Sequence, residues 1–600
     1  MGGLHNAVVT PDQAGTLYGL FQERVRRTPQ REAYRYFDMQ ANTWQSYTWA
    51  QMRDQVARWQ ALLLREGLAP GERVAIMLRN CPQWVMFDQA AASLGLVTVP
   101  LYTIDRADNI AYIINDAQAK VLLFENADQW RELGAVLGQL EGVQRFVSLN
   151  EIAAADPRLL CASASLPETA ELQPAVARTK DELATLIYTS GTTGRPKGVM
   201  LSHANLLSNT YGALSTFELR GDDLLLSFLP LSHAFERVCG YYLQVMVGAT
   251  VAYARSVQLL AEDLKNLRPT VLVAVPRIYE RVHAAIYAKL SEGPPARRWL
   301  FELAVKVGWA RFIHEQGRGP WKLSFLAWPL LNALVARKVL DRLGGRLRTA
   351  VSGGAALAPE ISHMFVGLGL PVVQGYGLTE TSPIVSGNRL DNNFPESVGQ
   401  VLRGVQVKLG EQNALLVKGP NVMLGYWNNP EATRAMIDAD GWLNTGDIAY
   451  INDSGHIYIT GRLKEIIVLA NGEKLPPGDM EAAILHDPLI DQVMIYGEGR
   501  PYLVALAVVN PTVWLEIAAK VGVRPDMPES LCDSNVEAKV LRRIARNLRS
   551  FPGYAKVHRV LLLDEPWSIE NGLLTPKLSL KRDKVVAKYH TEIDNLYLGH

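Results

Sequence analysis

Tyr188-Thr-Ser-Gly-Thr-Thr-Gly-Arg-Pro-Lys-Gly198 stands between two apolar runs, Leu183 to Ile187 before it and Val199 to Leu201 after it. Both runs are short and rich in branched aliphatic residues, which predicts two buried strands with a loop between them. Gly191, Gly194 and Gly198 let the backbone approach a ligand closely. Thr189, Ser190, Thr192 and Thr193 add hydroxyl donors, and Lys197 adds a point charge. Such a loop is suited to cradle a polyphosphate. It is not a Walker A loop, which needs Gly before its Lys and Ser or Thr after it, because Pro196 and Gly198 hold those places. Taken alone, the stretch has a weaker alternative reading as a Gly- and Thr-rich surface loop.

The totals set bounds. A chain of 600 residues is too long for one core, so at least two domains are expected. A composition of 48% hydrophobic and 20% charged residues is ordinary for a globular protein, and a net charge of +1 gives no reason to expect nucleic acid. Cys81, Cys161, Cys239 and Cys532 show no short pair spacing, which argues against a zinc site or a disulfide framework and fits a reducing cytoplasm. Residues 1–22 lack the pattern of a signal peptide. No uninterrupted apolar window of about 18 residues appears, so no membrane span is expected.

From Tyr34 to Phe124, extended runs alternate with helical periodicity: strands at 34–37, 73–78, 95–101 and 120–124, helices at 48–66, 81–94 and 108–116. That rhythm predicts parallel β-α-β units in doubly wound α/β layers, continuing to about residue 400. Residues 150–182 read as a surface connection, and Ser202 as the cap of a helix that begins at His203. Further strands are predicted at 249–253, 271–275, 349–352 and 372–374. From about 395, short strands and tight turns, as in 406–409, 414–418 and 456–460, predict a small β subdomain. A compact α/β segment follows, with strands at 466–469, 490–496 and 504–509. The chain is thus expected to divide into a large domain, 1–461, and a small mobile one, 462–600.

Three more stretches carry chemistry. In Val373-Gln-Gly-Tyr-Gly-Leu-Thr-Glu-Thr381 a strand is expected to end at Gln374, where ligands of open α/β sheets sit. Tyr376 can stack on a flat base and Glu380 can hold magnesium between phosphates. In Asp440-Gly-Trp-Leu-Asn-Thr-Gly-Asp447, and in Gly461-Arg-Leu-Lys-Glu465, an Asp suited to ribose hydroxyls and an Arg fork suited to phosphate or ribose oxygens recur.

In this order, the four motifs closely resemble those of the adenylate-forming superfamily of acyl-CoA synthetases, nonribosomal-peptide adenylation domains and luciferases. Within it the chain is most similar to bacterial AMP-forming long-chain fatty acid:CoA ligases, over about residues 15–595. The resemblance implies that a carboxylate attacks the α-phosphate of Mg-ATP to give an acyl-adenylate and pyrophosphate, after which the CoA thiol takes the acyl group and AMP leaves. It implies that Lys197 and the cradle, Thr189 to Gly194, hold the pyrophosphate, that Thr379 contacts the α-phosphate and that Glu380 holds Mg2+. Tyr376, with the backbone of Gln374, Gly375 and Gly377 around it, would flank adenine. Asp447 would bind the ribose hydroxyls and Arg462 ribose or phosphate. Gly353, Gly354, Ala355 and Ala356 match the strand end that lines both nucleotide and acyl sites. His233 matches the motif beside the acyl carboxylate, with Phe235, Val238 and Gly240 as tunnel walls. Lys464 falls at the position of the domain hinge.

One departure is visible. Long-chain members usually end Leu-Thr-Pro-Thr-x-Lys-x-Lys-Arg, the first lysine touching the carboxylate and α-phosphate during adenylation. Here Leu574-Thr-Pro-Lys-Leu-Ser-Leu-Lys-Arg582 puts Ser579 at that place, with Lys577 and Lys581 two residues to either side. In an extended segment a shift of two keeps the face and moves a side chain roughly 6.5 to 7 Å. Either lysine is therefore a candidate for the catalytic charge, Lys577 preferred because the pattern has no lysine there.

Residues 295–348 are unusual. They hold Trp299, Trp309, Trp321 and Trp328, an apolar stretch from Leu323 to Ala336, and eleven Lys or Arg against Glu302, Glu315 and Asp341. Two readings fit: an amphipathic insertion packed on the large domain, or an interfacial segment in peripheral contact with the inner face of a membrane. The leading expectation for the whole is a cytoplasmic enzyme with fatty acid, ATP and CoA as partners, and a homodimer is compatible with it. The alternatives are a fatty acyl-AMP ligase that loads an acyl carrier protein, and a lipid-binding homologue with weakened catalysis.

Overall fold

The structure is a computed structural model that describes residues 8–189, 195–470, 473–549, 551–552, 555–575 and 579–598. Its central device is the hairpin around the Gly- and Thr-rich loop. Strands Leu183–Thr189 and Lys197–Ser202 pair antiparallel, with Ile187 opposite Val199 and Thr189 opposite Lys197. Leu186, Ile187, Val199 and Leu201 are buried, which is what their apolar run demands.

Among the described residues the hairpin belongs to an eight-stranded sheet. Leu183–Thr189 lies parallel to Val97–Pro100, which pairs with Arg73–Met77, and Ala119–Phe124 and Arg145–Ser148 extend the parallel row. A nine-stranded sheet faces it, with Leu224–Ser227, Val271–Ala274, Thr349–Ser352 and Val372–Gly377 parallel at its centre. One hydrophobic core takes Val74 and Val199 from the first sheet, Val351 and Val373 from the second, and Trp84, Phe87 and Ala90 from the helix Pro82–Ser93. That helix is buried almost all round because the helices Trp49–Leu64 and Leu17–Arg27 and the strand Val97–Pro100 pack around it. Thr48 and Ser202 start their helices through capping boxes with Gln51 and Asn205, as the sequence predicted for both starts.

A four-stranded antiparallel sheet follows, made of Gln406–Leu409, Ala414–Lys418, Leu443–Ile451 and Ile457–Arg462. Beyond it, a three-stranded sheet places Leu503–Val509 between Ile490–Tyr496 and Val557–Leu563. Successive residues of its central strand face opposite cores: Leu503, Ala505 and Ala507 enter one, Leu506 and Val508 the other. Every member of these two cores lies at or after Ile467. The architecture is therefore α/β, with a large N-terminal part and a smaller C-terminal one.

Several local expectations change. The strand expected to end at Gln374 continues to Gly377, because Ile384–Gly387 pairs with its last residues. Asp447 sits within the nine-residue strand Leu443–Ile451. The connection 150–182 contains an edge strand, Leu159–Cys161, parallel to Arg145–Ser148. Lys581 does not continue an extended segment: it stands at the N-cap position of the helix Arg582–Lys588, without a side-chain capping bond, so its direction is not set by a strand's two-residue repeat.

Candidate functional site

The carboxyl ends of the central strands of the nine-stranded sheet open into a cavity of about 340 Å³. Thr349–Ser352 delivers Gly353 and Gly354 to it, and Val372–Gly377 delivers Gly375, Tyr376 and Gly377. The 3-10 turn Thr379–Thr381 adds Thr379 and Glu380, while Thr189 reaches it from the end of the cradle strand. His233 and Phe235 come from the loop and short helix after Leu224–Ser227. Asp447 and Arg462 enter from the four-stranded sheet, and Thr575, Ser579 and Leu580 from the C-terminal part. A second cavity, of about 390 Å³, is lined by Lys197, Tyr426, Arg582 and Asp583, and Arg462 borders both.

On one side the side chains are tied into a polar cluster. Tyr376 Oη donates to Asp447 Oδ2 at 2.5 Å, and Arg462 Nε donates to Asp447 Oδ1 at 2.9 Å. Burial drives the Tyr376 pKa well above its ordinary value, with the Asp447 charge adding to it, so the phenol stays a donor. Burial also raises the Asp447 pKa, and Arg462 opposes that rise. Gly377 lets the backbone of Pro383 pack against the strand end, since a Cβ there would stand 1.8 Å from that residue's carbonyl oxygen.

A second cluster joins the cradle to the Thr379–Thr381 turn. The two-residue strand Gly425–Tyr426 pairs with the cradle strand, Tyr426 opposite Val199. Tyr426 Oη donates to Glu380 Oε1 at 2.8 Å, and Lys197 Nζ stands 5.1 Å from the centre of its ring. Met423 N–H donates to the Glu380 carbonyl at 2.9 Å, so backbone and side chain both hold this turn.

In the loop that brings His233 to the cavity, His233 Nδ1 accepts from Phe235 N–H at 3.2 Å, which places the proton of a neutral imidazole on Nε2. Behind Phe235 the chain is anchored by Arg237, which is buried and donates to Asp88 at 2.6 Å and to Thr98 and Thr185 at 2.8 Å each. Thr185 lies in the strand that leads to the cradle, so one buried guanidinium, through its hydrogen bond to Thr185, fixes the His233 loop against that strand.

Not every expected residue lines the site. Gln374 is buried and committed to structure, accepting from Leu357 N–H at 3.0 Å and donating to the Pro395 carbonyl. Ala355 is exposed one residue beyond the lining glycines. Gly240 is not a wall of this cavity: it makes room for Glu236, whose Oε1 would lie 2.1 Å from a Cβ at position 240. Lys581 lines neither cavity, although its neighbours Leu580 and Arg582 do. Lys464 lies in the single turn Leu463–Glu465 directly after Arg462. Ser190, Gly191, Thr192, Thr193, Gly194 and Lys577 lie outside the described residues. Tyr426 went unnoticed in the sequence, since a two-residue strand carries no periodicity, and Arg582, although it closes the motif at 574–582, was given no role there.

Among the described residues no group of three or more His, Cys, Asp or Glu side chains could hold a metal ion by itself. Magnesium characteristically takes one or two carboxylates and completes its shell with phosphate and water. The half-buried Glu380 carboxylate, open to the cavity, fits that use.

A family model described as AMP-binding enzyme matches residues 21–427, and one for the C-terminal domain of AMP-binding enzymes matches 464–600. The chain belongs to the AMP-binding, adenylate-forming enzyme family. Its relatives in that family include the long-chain-fatty-acid–CoA ligase FadD15 of Mycobacterium tuberculosis, 32% identical over 92% of each chain. Another is the peroxisomal long chain acyl-CoA synthetase 6 of Arabidopsis thaliana, 32% identical over 89% of this chain and 79% of that one. Among solved structures, the anthranilate CoA ligase AuaEII bound to anthranoyl-AMP superposes with a TM-score of 0.73 at 18% identity, covering 96% and 98% of the two chains. ATP-bound MatB from Rhodopseudomonas palustris gives 0.70 at 21%, covering 96% and 99%. The two structures establish the fold: α/β, with a large N-terminal domain and a smaller C-terminal one.

Proposed function

We propose that this AMP-binding enzyme is an AMP-forming long-chain fatty acid:CoA ligase. The observation that carries the reading is that one cavity brings together the Tyr376–Asp447–Arg462 cluster, suited to a ribose, and His233 with Phe235, suited to an acyl carboxylate, with Thr379 and Glu380 also in its wall. Relatives named as long-chain ligases over most of the chain supply the substrate class.

In this reading Asp447 accepts the two ribose hydroxyls, while Tyr376 and Arg462 hold its carboxylate in place. His233 donates Nε2–H to the fatty carboxylate and orients one oxygen toward the α-phosphorus. That oxygen forms the new P–O bond as the bond from the α-phosphorus to the bridging oxygen breaks, and pyrophosphate leaves toward Lys197 and the cradle. A magnesium ion held by Glu380 would neutralise charge on the phosphates. In the second step the CoA thiolate attacks the acyl carbonyl, the acyl–oxygen bond breaks, and AMP departs.

Thr575 and Ser579 in the cavity wall support assigning this arrangement of the domains to adenylation. The thiol step then takes the C-terminal domain, 462–600, to a second orientation about Lys464. Ser579 cannot supply a cation, and Lys577, in the segment that joins Thr575 to Ser579, is the favoured source ahead of Lys581. The enzyme is assigned to the cytoplasm, in peripheral contact with the inner face of the membrane into which its substrate partitions.

A second acceptor is favoured by one relative, the chloroplastic long-chain-fatty-acid–[acyl-carrier-protein] ligase AEE15 of Arabidopsis thaliana, 28% identical over 92% of this chain. Incubation of purified protein with ATP, magnesium and a series of short to long fatty acids, with either CoA or a phosphopantetheinylated carrier protein, separates the two. The proposal expects AMP and acyl-CoA in equal amounts. ADP as product, or acyl transfer to the carrier protein alone, would contradict it.

A further inference from the structure

The helical run Leu323–Leu343 is apolar on the side it turns away from the protein. Its inner face is occupied: Leu331 is buried and packs with the half-buried Phe325, Trp328 and Val335 on Ala304 and Val307 of the helix Pro295–Glu315. Its outer face carries Leu323, Leu326, Leu330 and Leu334, exposed by 72, 69, 63 and 44%. The spacing follows the local winding, three residues within the 3-10 turn Leu323–Ala327 and four through the α and π turns after it, so the leucines stay on one side. Trp321 stands exposed immediately before them. A helix that is apolar all round and buried on only one face has an occupant still to meet.

The chemistry of that occupant is set by the ends of the stripe. Lys322 precedes it, and Arg337, Lys338 and Arg342 follow it, all exposed. Among the described residues none of the four makes an ion pair. A second copy of this chain seated on the stripe would bring these cations against their own kind in either direction of pairing, which is destabilising. An anionic lipid surface takes both the leucines and the cations.

By length and composition the run could cross a membrane. Two features keep it in the interface instead. The apolar part ends at Ala336, and 14 residues from Leu323 span ~21 Å at about 1.5 Å each, short of a hydrocarbon core of about 30 Å. Its other face is also held by Pro295–Glu315 and is not available to lipid.

We propose that this face docks on an anionic lipid bilayer, the helix lying in the plane of the surface with Trp321 and the four leucines at the boundary of headgroups and acyl chains and the four cations on the headgroups. This names the face for the peripheral contact and rests on the ligase reading only for the choice of lipid as occupant.

Flotation of the full-length protein with phosphatidylethanolamine vesicles, with and without phosphatidylglycerol, tests it in the absence of ATP, CoA and fatty acid. The protein is expected to float with the anionic vesicles and to be released by salt. Leu326→Glu with Leu330→Glu is expected to weaken binding about tenfold or more, given the transfer energy of two leucines, with melting temperature and pyrophosphate exchange on detergent-dispersed fatty acid unchanged. Arg337→Glu with Lys338→Glu is expected to weaken it and to flatten the salt dependence. No flotation of the wild type, equal flotation with and without phosphatidylglycerol, or a double leucine variant that binds as before overturns the proposal. So does a dimer in lipid-free sedimentation that the leucine variant dissociates. Flotation that persists in a protein without ligase activity supports the docking face and counts against the ligase reading alone.

Discussion

Tyr426 donates its hydroxyl to Glu380 at 2.8 Å while its ring faces the Lys197 ammonium at 5.1 Å. One side chain thus bridges the carboxylate proposed to hold magnesium and the lysine proposed to hold pyrophosphate. Tyr426 is a positioning residue, placed by the pairing of Gly425–Tyr426 with the cradle strand.

Replacing Tyr426 with Phe keeps the ring under Lys197 and removes the hydroxyl. A hydrogen bond to a charged group is worth about 1.5 to 3 kcal/mol, so the adenylation rate is expected to fall roughly ten- to a hundredfold. If the hydroxyl holds Glu380 for the metal, the magnesium concentration for half-maximal pyrophosphate exchange rises as well. An unchanged magnesium dependence would reduce Tyr426 to a packing role.

Asp447→Ala leaves Tyr376 and Arg462 without their shared acceptor. The expected result is a rise in the KM for ATP of about ten- to a hundredfold, from the loss of charge-assisted hydrogen bonds, with the KM for the fatty acid little altered. Steady-state kinetics with each substrate varied in turn reads the difference. Equal effects on both would place Asp447 outside the ribose site.

Lys577→Ala is expected to slow pre-steady-state pyrophosphate release, by the about 2.7 to 4 kcal/mol typical of a lost transition-state contact, while acyl transfer from supplied acyl-adenylate to CoA continues. Lys581→Ala is the control, since Lys581 stands at a helix N-cap position and lines neither cavity. If neither variant slows the release, the substitution of Ser579 by a nearby lysine is wrong.

Arg237 and Asp88 form a buried pair at 2.6 Å. Asp88→Ala strands the guanidinium and is expected to destabilise the large domain by about 3 to 5 kcal/mol. The double replacement Asp88→Leu with Arg237→Met is expected to recover much of that loss, as buried pairs rarely outdo apolar packing. Urea titrations of the three proteins decide it, and a double variant no better than the single one would refute the reading.

Glu236 is buried against Gly240, and burial pushes its carboxyl up to about 8 from an ordinary 4.5, with the Ser227 hydrogen bond opposing. Between these values the folded chain keeps a proton that the unfolded chain has lost. The stability it contributes is complete below about 4.5, declines by about 1.4 kcal/mol per pH unit, and is gone once the pH passes about 8. Glu236→Gln is expected to flatten this slope, so denaturation midpoints at pH 6 and pH 8 should differ less in the variant than in the wild type.

The amino-acid sequence by itself determined the layers and the cradle. Leu183 to Ile187 and Val199 to Leu201 are apolar runs on either side of a Gly- and Thr-rich loop, and such runs declare strands through contacts between near neighbours. Thr48 and Ser202 likewise announce their helices within three residues. The tertiary structure alone decided which motif residues touch the site. Gln374 and Gly377 lie three apart in one motif, yet the first is consumed by Leu357 and Pro395 while the second lines the cavity. Tyr376 meets Asp447 across 71 residues of chain and Tyr426 meets Glu380 across 46. Periodicity and turn chemistry are local quantities, whereas a shared cavity depends on how distant segments pack. For the same reason the leucines of 323–334 could be counted in the sequence, but only the fold could say which side of them was already taken.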